Sequence, residues 1–193
     1  MIVVITRPDF FPGEAEAVVR LLDSGAVDRV HIRKPYAEAE HVDALLDAIP
    51  TSLYGRLSLH DCHRLAVKRG CGIHLNARNP LPPASFEGTV SVSCHSIEEL
   101  LTTGQVAYRF ISPVYPSISK PGHKPSFTLE SLKRFVDNHT IALGGVTPDK
   151  FPELADAGLG GAALLGCVWN AVERGETESI IAEIKEYKSC FNS

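Results

Sequence analysis

Residues 140–166 read TIALGGVTPDKFPELADAGLGGAALLG, and this stretch decides the fold. TIALGG (140–145) and GAALLG (161–166) are short apolar runs closed by glycine, as strands buried on both faces of a sheet are. Between them Thr147-Pro148 opens a helix with a cap and a first-turn proline. A strand, a crossover helix and a second strand make a βαβ unit, whose two strands run parallel.

Working outward, the same alternation fills the chain. Further strand candidates are IVVIT (2–6), RVHIR (29–33), RLSLH (56–60), GIHLN (72–76), TVSVSC (89–94) and YRFIS (108–112). Helical stripes lie between them. Glu14 to Leu22 carries Ala15, Val18, Val19 and Leu22 on one side, and Ala39 to Ile49 carries Val42, Leu45, Leu46 and Ile49. Ser96 with Glu99 forms a capping-box pattern, and Ala182 to Tyr187 reads as an amphipathic last helix. Eight consecutive βα pairs predict an α/β fold: a single (β/α)8 TIM-barrel domain of parallel strands over residues 1–193. The alternative, an open flavodoxin-like sheet, ordinarily has fewer strands.

The 193 residues suffice for one domain that needs no metal or disulfide staple. A formal net charge of -4, with no run of Lys and Arg, argues against a nucleic-acid partner. Five cysteines without a C-x-x-C pair indicate free thiols in a reducing cytoplasm. The opening MIVVITRPDFF is apolar too briefly for a signal peptide or a membrane span, so it reads as a buried first strand and no membrane association is expected. A homo-oligomer is compatible with the sequence.

A barrel of this kind builds its active site where the strands end. Strand two ends in His31-Ile32-Arg33-Lys34, strand three in His60-Asp61, strand four in His74-Leu75-Asn76 and strand five in Ser93-Cys94-His95. Strands seven and eight end in Gly144-Gly145 and Leu165-Gly166, the place where barrels hold phosphate against backbone N–H groups. The plain alternative for these glycines is a pair of tight turns. The loop PVYPSISKPGHKP (113–125) supplies the hydroxyls of Ser117 and Ser119 and the ammonium of Lys120, all phosphate donors, unless it is only a solvated loop. Arg33 suits bidentate contact with an oxyanion or an ordinary salt bridge. Asp61 suits a metal ion or the N-cap of the third helix. His31, His60, His74 and His95 suggest a metal cluster, but their facing cannot be fixed from sequence, and buried hydrogen-bonding or outward-facing imidazoles are expected instead.

Taken in order, VHIRK, HDCHRLAVKRGCGIHLN, VSVSCHSIEEL, SPVYPSISKPGHKP, IALGGVTP and LADAGLGGAALLG resemble the thiamin phosphate synthase/TenI family across nearly the whole chain. In that family the synthase joins hydroxymethylpyrimidine diphosphate to hydroxyethylthiazole phosphate, releasing pyrophosphate with Mg²⁺, and TenI aromatises a thiazole carboxylate phosphate. The resemblance implies that Arg33 meets the diphosphate and Asp61 the Mg²⁺. It implies that Ser93, Ser117 and Ser119 bind substrate, that Lys120 together with Arg33 serves in catalysis, and that Gly145 meets the thiazole phosphate. His31, His60, Gly144, Leu165 and Gly166 complete the expected binding set.

Departures from the family pattern fall mostly on one side: the Asn-Asp pair reads His60-Asp61 there, although on the other side the phosphate-loop serine becomes Gly166. The lysine after Arg33 is displaced by one position to Lys34, and the acidic residue expected after strand four is replaced by Asn76-Ala77-Arg78-Asn79. The diphosphate half is therefore weakened, and Mg²⁺ is expected only if the chain works as a synthase. The acid/base position of TenI falls on Pro113, which leaves His123 as the candidate. Three functions follow from the resemblance: a TenI-like thiazole tautomerase as the first expectation, the synthase, or a catalytically degenerate thiazole-phosphate binder.

Overall fold

The computed structural model describes residues 1–116 and 127–192. Eight strands close into one barrel: β1 (Ile2–Ile5), β2 (Arg29–Ile32), β3 (Leu57–Leu59), β4 (Gly72–Leu75), β5 (Val90–Cys94), β6 (Tyr108–Ile111), β7 (Thr140–Ala142) and β8 (Gly161–Leu164). Every neighbouring pair is parallel, and β1 pairs with β8 to seal the ring. The expected (β/α)8 architecture is what forms.

The helices are α1 (Glu14–Asp23), α2 (Ala39–Asp47), α3 (His63–Arg69), α4 (Ile97–Thr102), α5 (Leu129–Leu132), α6 (Phe151–Asp156), α7 (Gly166–Glu173) and α8 (Thr177–Lys188). They do not alternate as evenly as the sequence suggested. No helix joins β4 to β5, because Pro80, Pro82 and Pro83 withhold N–H donors and push their neighbours into extended backbone. The final barrel turn instead carries two helices, α7 and α8. The last of these is longer than expected, because it buries Thr177, Ile180, Ile181 and Ile184 along one face. Ser96 caps α4 by accepting from Glu99 N at 3.1 Å, as its pattern implies. Thr147 does not cap: its hydroxyl bonds the Asp149 carboxylate, and Pro148 opens a short 3₁₀ turn before α6.

Side-chain alternation divides the core in two. Outward strand residues such as Ile2, Val4, Val30 and Ile32 pack beneath the helices, while Val3, Ile5, Tyr108, Phe110, Ile141 and Ala163 form a small apolar cluster of their own. Register sets the polar remainder of the interior: His31 lies level with Ser58, and His74 with Ser91 and then Tyr108. Trp169 of α7 donates its indole N–H to Ile5 O at 2.6 Å, tying the last barrel turn to the first strand. All the strands but β5 end one to three residues earlier than their apolar runs, so Arg33, His60, Asn76 and Gly144 stand beyond the ladder on the rim. Among the described residues no helix is long and apolar enough to cross a membrane, and all five cysteines are unpaired thiols.

Candidate active site

A cleft of about 670 Å³ opens at the carboxyl ends of the strands, lined by Arg33, His60, Asn76, Arg78, Ser93 and His95 among others. Its position follows from parallel topology, which sends every strand's last residues to the same rim.

Three of the four histidines noted in the sequence meet beneath this cleft. His31 Nδ1 and His60 Nε2 are 2.9 Å apart, and His31 Nε2 lies 2.5 Å from the Tyr108 hydroxyl. His74 engages both its nitrogens, Nδ1 with Ser91 Oγ at 2.9 Å and Nε2 with Ser93 Oγ at 3.0 Å. Burial, with the neighbouring histidines adding to it, holds His31 and His60 well below the usual imidazole range. Burial likewise lowers His74 to about 3. All three are therefore neutral near pH 7. One nitrogen from each lies within 4.8 Å of the others. Even so, the His60 and His74 rings stack at 4.1 Å with 25° between their planes, so their in-plane lone pairs do not converge on one point. The trio is a hydrogen-bonded neutral floor. Sequence could not fix this inward facing, and Tyr108 and Ser91, which complete the network, drew no attention there. Their alternation with Arg109 and with Val90 and Val92 along the strands is the signal that would have found them.

Lys34 is turned out of the cleft. Its ammonium bonds both oxygens of Glu14, at 2.6 and 2.9 Å, and the carbonyls of Arg7 and Asp9, with both charged side chains only 1% exposed. The neighbouring Arg33 lines the cleft, and its guanidinium makes no protein hydrogen bond among the described residues.

Asp61 caps nothing: α3 begins at His63, with Cys62 in the left-handed conformation at its N-cap. Its carboxylate is instead filled with donors. Oδ1 accepts from Asn79 Nδ2 at 2.9 Å, Arg78 Nε at 3.2 Å and Asn76 Nδ2 at 3.3 Å, while Oδ2 accepts from Arg78 Nη2 at 3.0 Å. The tip of that arrangement is a guanidinium, and the turn 76–79 contributes no second carboxylate. Mg²⁺ requires oxygen ligands in open octahedral geometry, which a carboxylate already saturated by N–H donors beside a fixed cation does not offer. These residues do not fit the magnesium ion that the family resemblance implies.

The glycine end is built for close approach. Gly144 and Gly145 take φ of +94° and +65°, and a Cβ on Gly145 would sit 2.5 Å from Pro116 O. Pairing of β7 with β8 brings this turn beside Leu165 and Gly166, where the first N–H groups of α7 lack intrahelical acceptors. Cys167 Sγ reaches Val146 O at 3.7 Å, joining the two turns. Such an arrangement can receive an oxyanion. Ser93, His95 and Leu165 line the cleft between the two ends, whereas Ser117, Ser119, Lys120 and His123 lie outside the described residues.

Comparison with known proteins agrees with the fold. A family model described as thiamine monophosphate synthase matches residues 2–168. Among curated relatives, the thiamine-phosphate synthase of Cronobacter sakazakii is 29% identical over 182 residues, 86% of each chain. That of Photorhabdus laumondii is 26% identical over 171 residues, 80% of this chain and 78% of the relative. Among solved structures, thiamine phosphate pyrophosphorylase from Bacteroides thetaiotaomicron aligns with a TM-score of 0.84 and 34% identity, covering 99% of this chain and 97% of that one. A pyrophosphorylase from Pyrococcus furiosus aligns at 0.73 with 21% identity over 95% and 96%, a likeness of fold.

Proposed function

The chain belongs to the thiamine monophosphate synthase family, and from that membership we propose that it is an enzyme acting on a thiazole phosphate, a tautomerase of the TenI kind. The observation that carries the reading is the asymmetry of the rim. The Gly144-Gly145 turn beside the N-terminus of α7 leaves backbone N–H groups that can receive an oxyanion, while on the other side Lys34 is committed to Glu14 and Asp61 to Arg78. A monophosphate has its binding group; a magnesium-bound diphosphate leaving group does not.

The reaction so framed needs only a proton. It leaves one atom of the non-aromatic thiazole and is returned to another, with the phosphate and Arg33 fixing the ring against the carrier. His74, lowered to about 3 by burial, is protonated in roughly one molecule in ten thousand at pH 7 and is a poor general acid. Among the described residues the imidazole suited to the task is the exposed His95. It lines the cleft, and its Nδ1 is held by Ser112 Oγ at 3.1 Å and Ser112 O at 3.3 Å, while Nε2 has no protein partner among the described residues. His123 is the second candidate carrier.

The synthase is the second reading, favoured by the names of the relatives and by the 34% identical pyrophosphorylase. A binder without turnover is the third. Incubating the protein with the non-aromatic thiazole carboxylate phosphate alone, and separately with thiazole phosphate plus pyrimidine diphosphate, separates them. Isomerisation in the first tube supports the tautomerase, and magnesium-dependent pyrophosphate in the second rejects it for the synthase. Tight binding without product in either tube leaves a binder. His95→Ala and His123→Ala then identify the carrier, as the variant that loses isomerisation while still binding inorganic phosphate.

A further inference from the structure

The charge that a metal would supply on the β3–β4 side of the cleft is already present in the protein. We propose that Arg78 is a built-in cation standing where the family pattern places magnesium, and that with Arg33 it forms a metal-independent oxyanion subsite opposite the glycine cradle. The inference concerns this subsite and holds whichever reaction is run there.

Three observations carry it. First, charge balance is kept. Two carboxylates with Mg²⁺ sum to zero in the pattern that the resemblance implies, and Asp61 with Arg78 sums to zero here with one carboxylate fewer. Second, the guanidinium is aimed. Asp61 grips its Nε and Nη2, and Asn76 Oδ1 accepts from the backbone N–H groups of Arg78 and Asn79 at 2.9 and 3.0 Å. The same Asn76 donates to His60 O at 2.5 Å, anchoring the turn to the strand-three rim. Third, the donors are available. Arg78 lines the same cleft as Arg33, its side chain is 57% exposed, and its Nη1 edge has no protein acceptor among the described residues. Two guanidiniums therefore face one cleft. Of the nearest carboxylates, Asp61 is consumed by Arg78, and Glu99 accepts the His95 N–H at 2.6 Å. A planar fork of this kind suits a carboxylate or a phosphoryl group and needs no ion to bridge it.

The test titrates inorganic pyrophosphate, as an oxyanion probe, into the metal-stripped full chain by calorimetry in EDTA, and again with magnesium. The expected result is binding in EDTA that magnesium does not tighten, weakened about 10- to 100-fold by Arg78→Gln with an unchanged circular-dichroism spectrum. Asn79 Nδ2 touches Asp61, so the double variant Arg78→Gln/Asn79→Asp sets two carboxylates together and should bind the probe only when magnesium is added. The proposal is overturned if the natural chain binds the probe only with magnesium, if it does not bind at all, or if Arg78→Gln binds as the natural chain does. The last result would assign all anion binding to the glycine cradle.

Discussion

Lowering the pH from 8 to 5 should strip this barrel of stability through its buried imidazoles. His74 has a folded-state pKa of about 3 against an ordinary value of 6.5, with burial as the main cause. Below pH 6.5 the unfolded chain takes up a proton that the folded chain refuses, so stability is constant above that value and falls as the pH drops toward 3. Summed to pH 5, the loss from His74 alone is about 2 kcal/mol, at 1.36 kcal/mol per pH unit. For a domain of this size that lowers the melting temperature by about 4–8 °C. His31 and His60 are shifted in the same direction and add to the loss. Glu14, raised by burial, works the other way and blunts it. Thermal unfolding followed by circular dichroism at pH 8, 6 and 5 measures the total, and histidine ring NMR signals report each imidazole directly. A melting temperature that is flat over this range, or ring signals in the trio that titrate near 6.5, would refute the neutral floor.

Other consequences are separable. Glu14→Gln leaves the Lys34 ammonium buried without its counter-charge and should cost about 3–5 kcal/mol in urea denaturation, while Glu14→Gln/Lys34→Met should recover much of it. Gly145→Ala combines a left-handed φ with a clash on Pro116 O, and should weaken inorganic phosphate binding at least about 10-fold while the fold, read by circular dichroism, persists. Burial raises the Cys71 and Cys167 thiols to about 11, so both should alkylate far more slowly at pH 8 than a free thiol, as peptide mass mapping over time would show.

The fold was legible because each buried strand, from IVVI to GAAL, is a short apolar run with its own punctuation, and eight such runs in a chain this short favour a closed barrel over an open sheet. The missing helix after β4 was legible too, in the prolines of NPLPPAS, but strand counting outweighed them. The site was half legible. Residue order alone puts Arg33, His60, Ser93 and Gly145 on the rim, since their strands all end there. Which way Lys34 turns depends on Glu14, 20 residues earlier, and that pairing has no local signature. The convergence of His31, His60 and His74 depends on barrel register, which fixes facing only once every neighbour is paired. Arg78 registered as a missing aspartate; only its grip on Asp61 turns that loss into a candidate replacement.

In the proposed reaction the cleft moves a proton on a thiazole monophosphate without metal. Its most direct test follows the non-aromatic thiazole carboxylate phosphate by NMR in D₂O containing EDTA, with stoichiometric protein present. A tautomerase converts it to the aromatic isomer at a rate well above that without protein, with solvent deuterium at the carbon that receives the proton. No acceleration in EDTA, together with magnesium-dependent pyrophosphate release from thiazole phosphate and pyrimidine diphosphate, would contradict the proposed reaction.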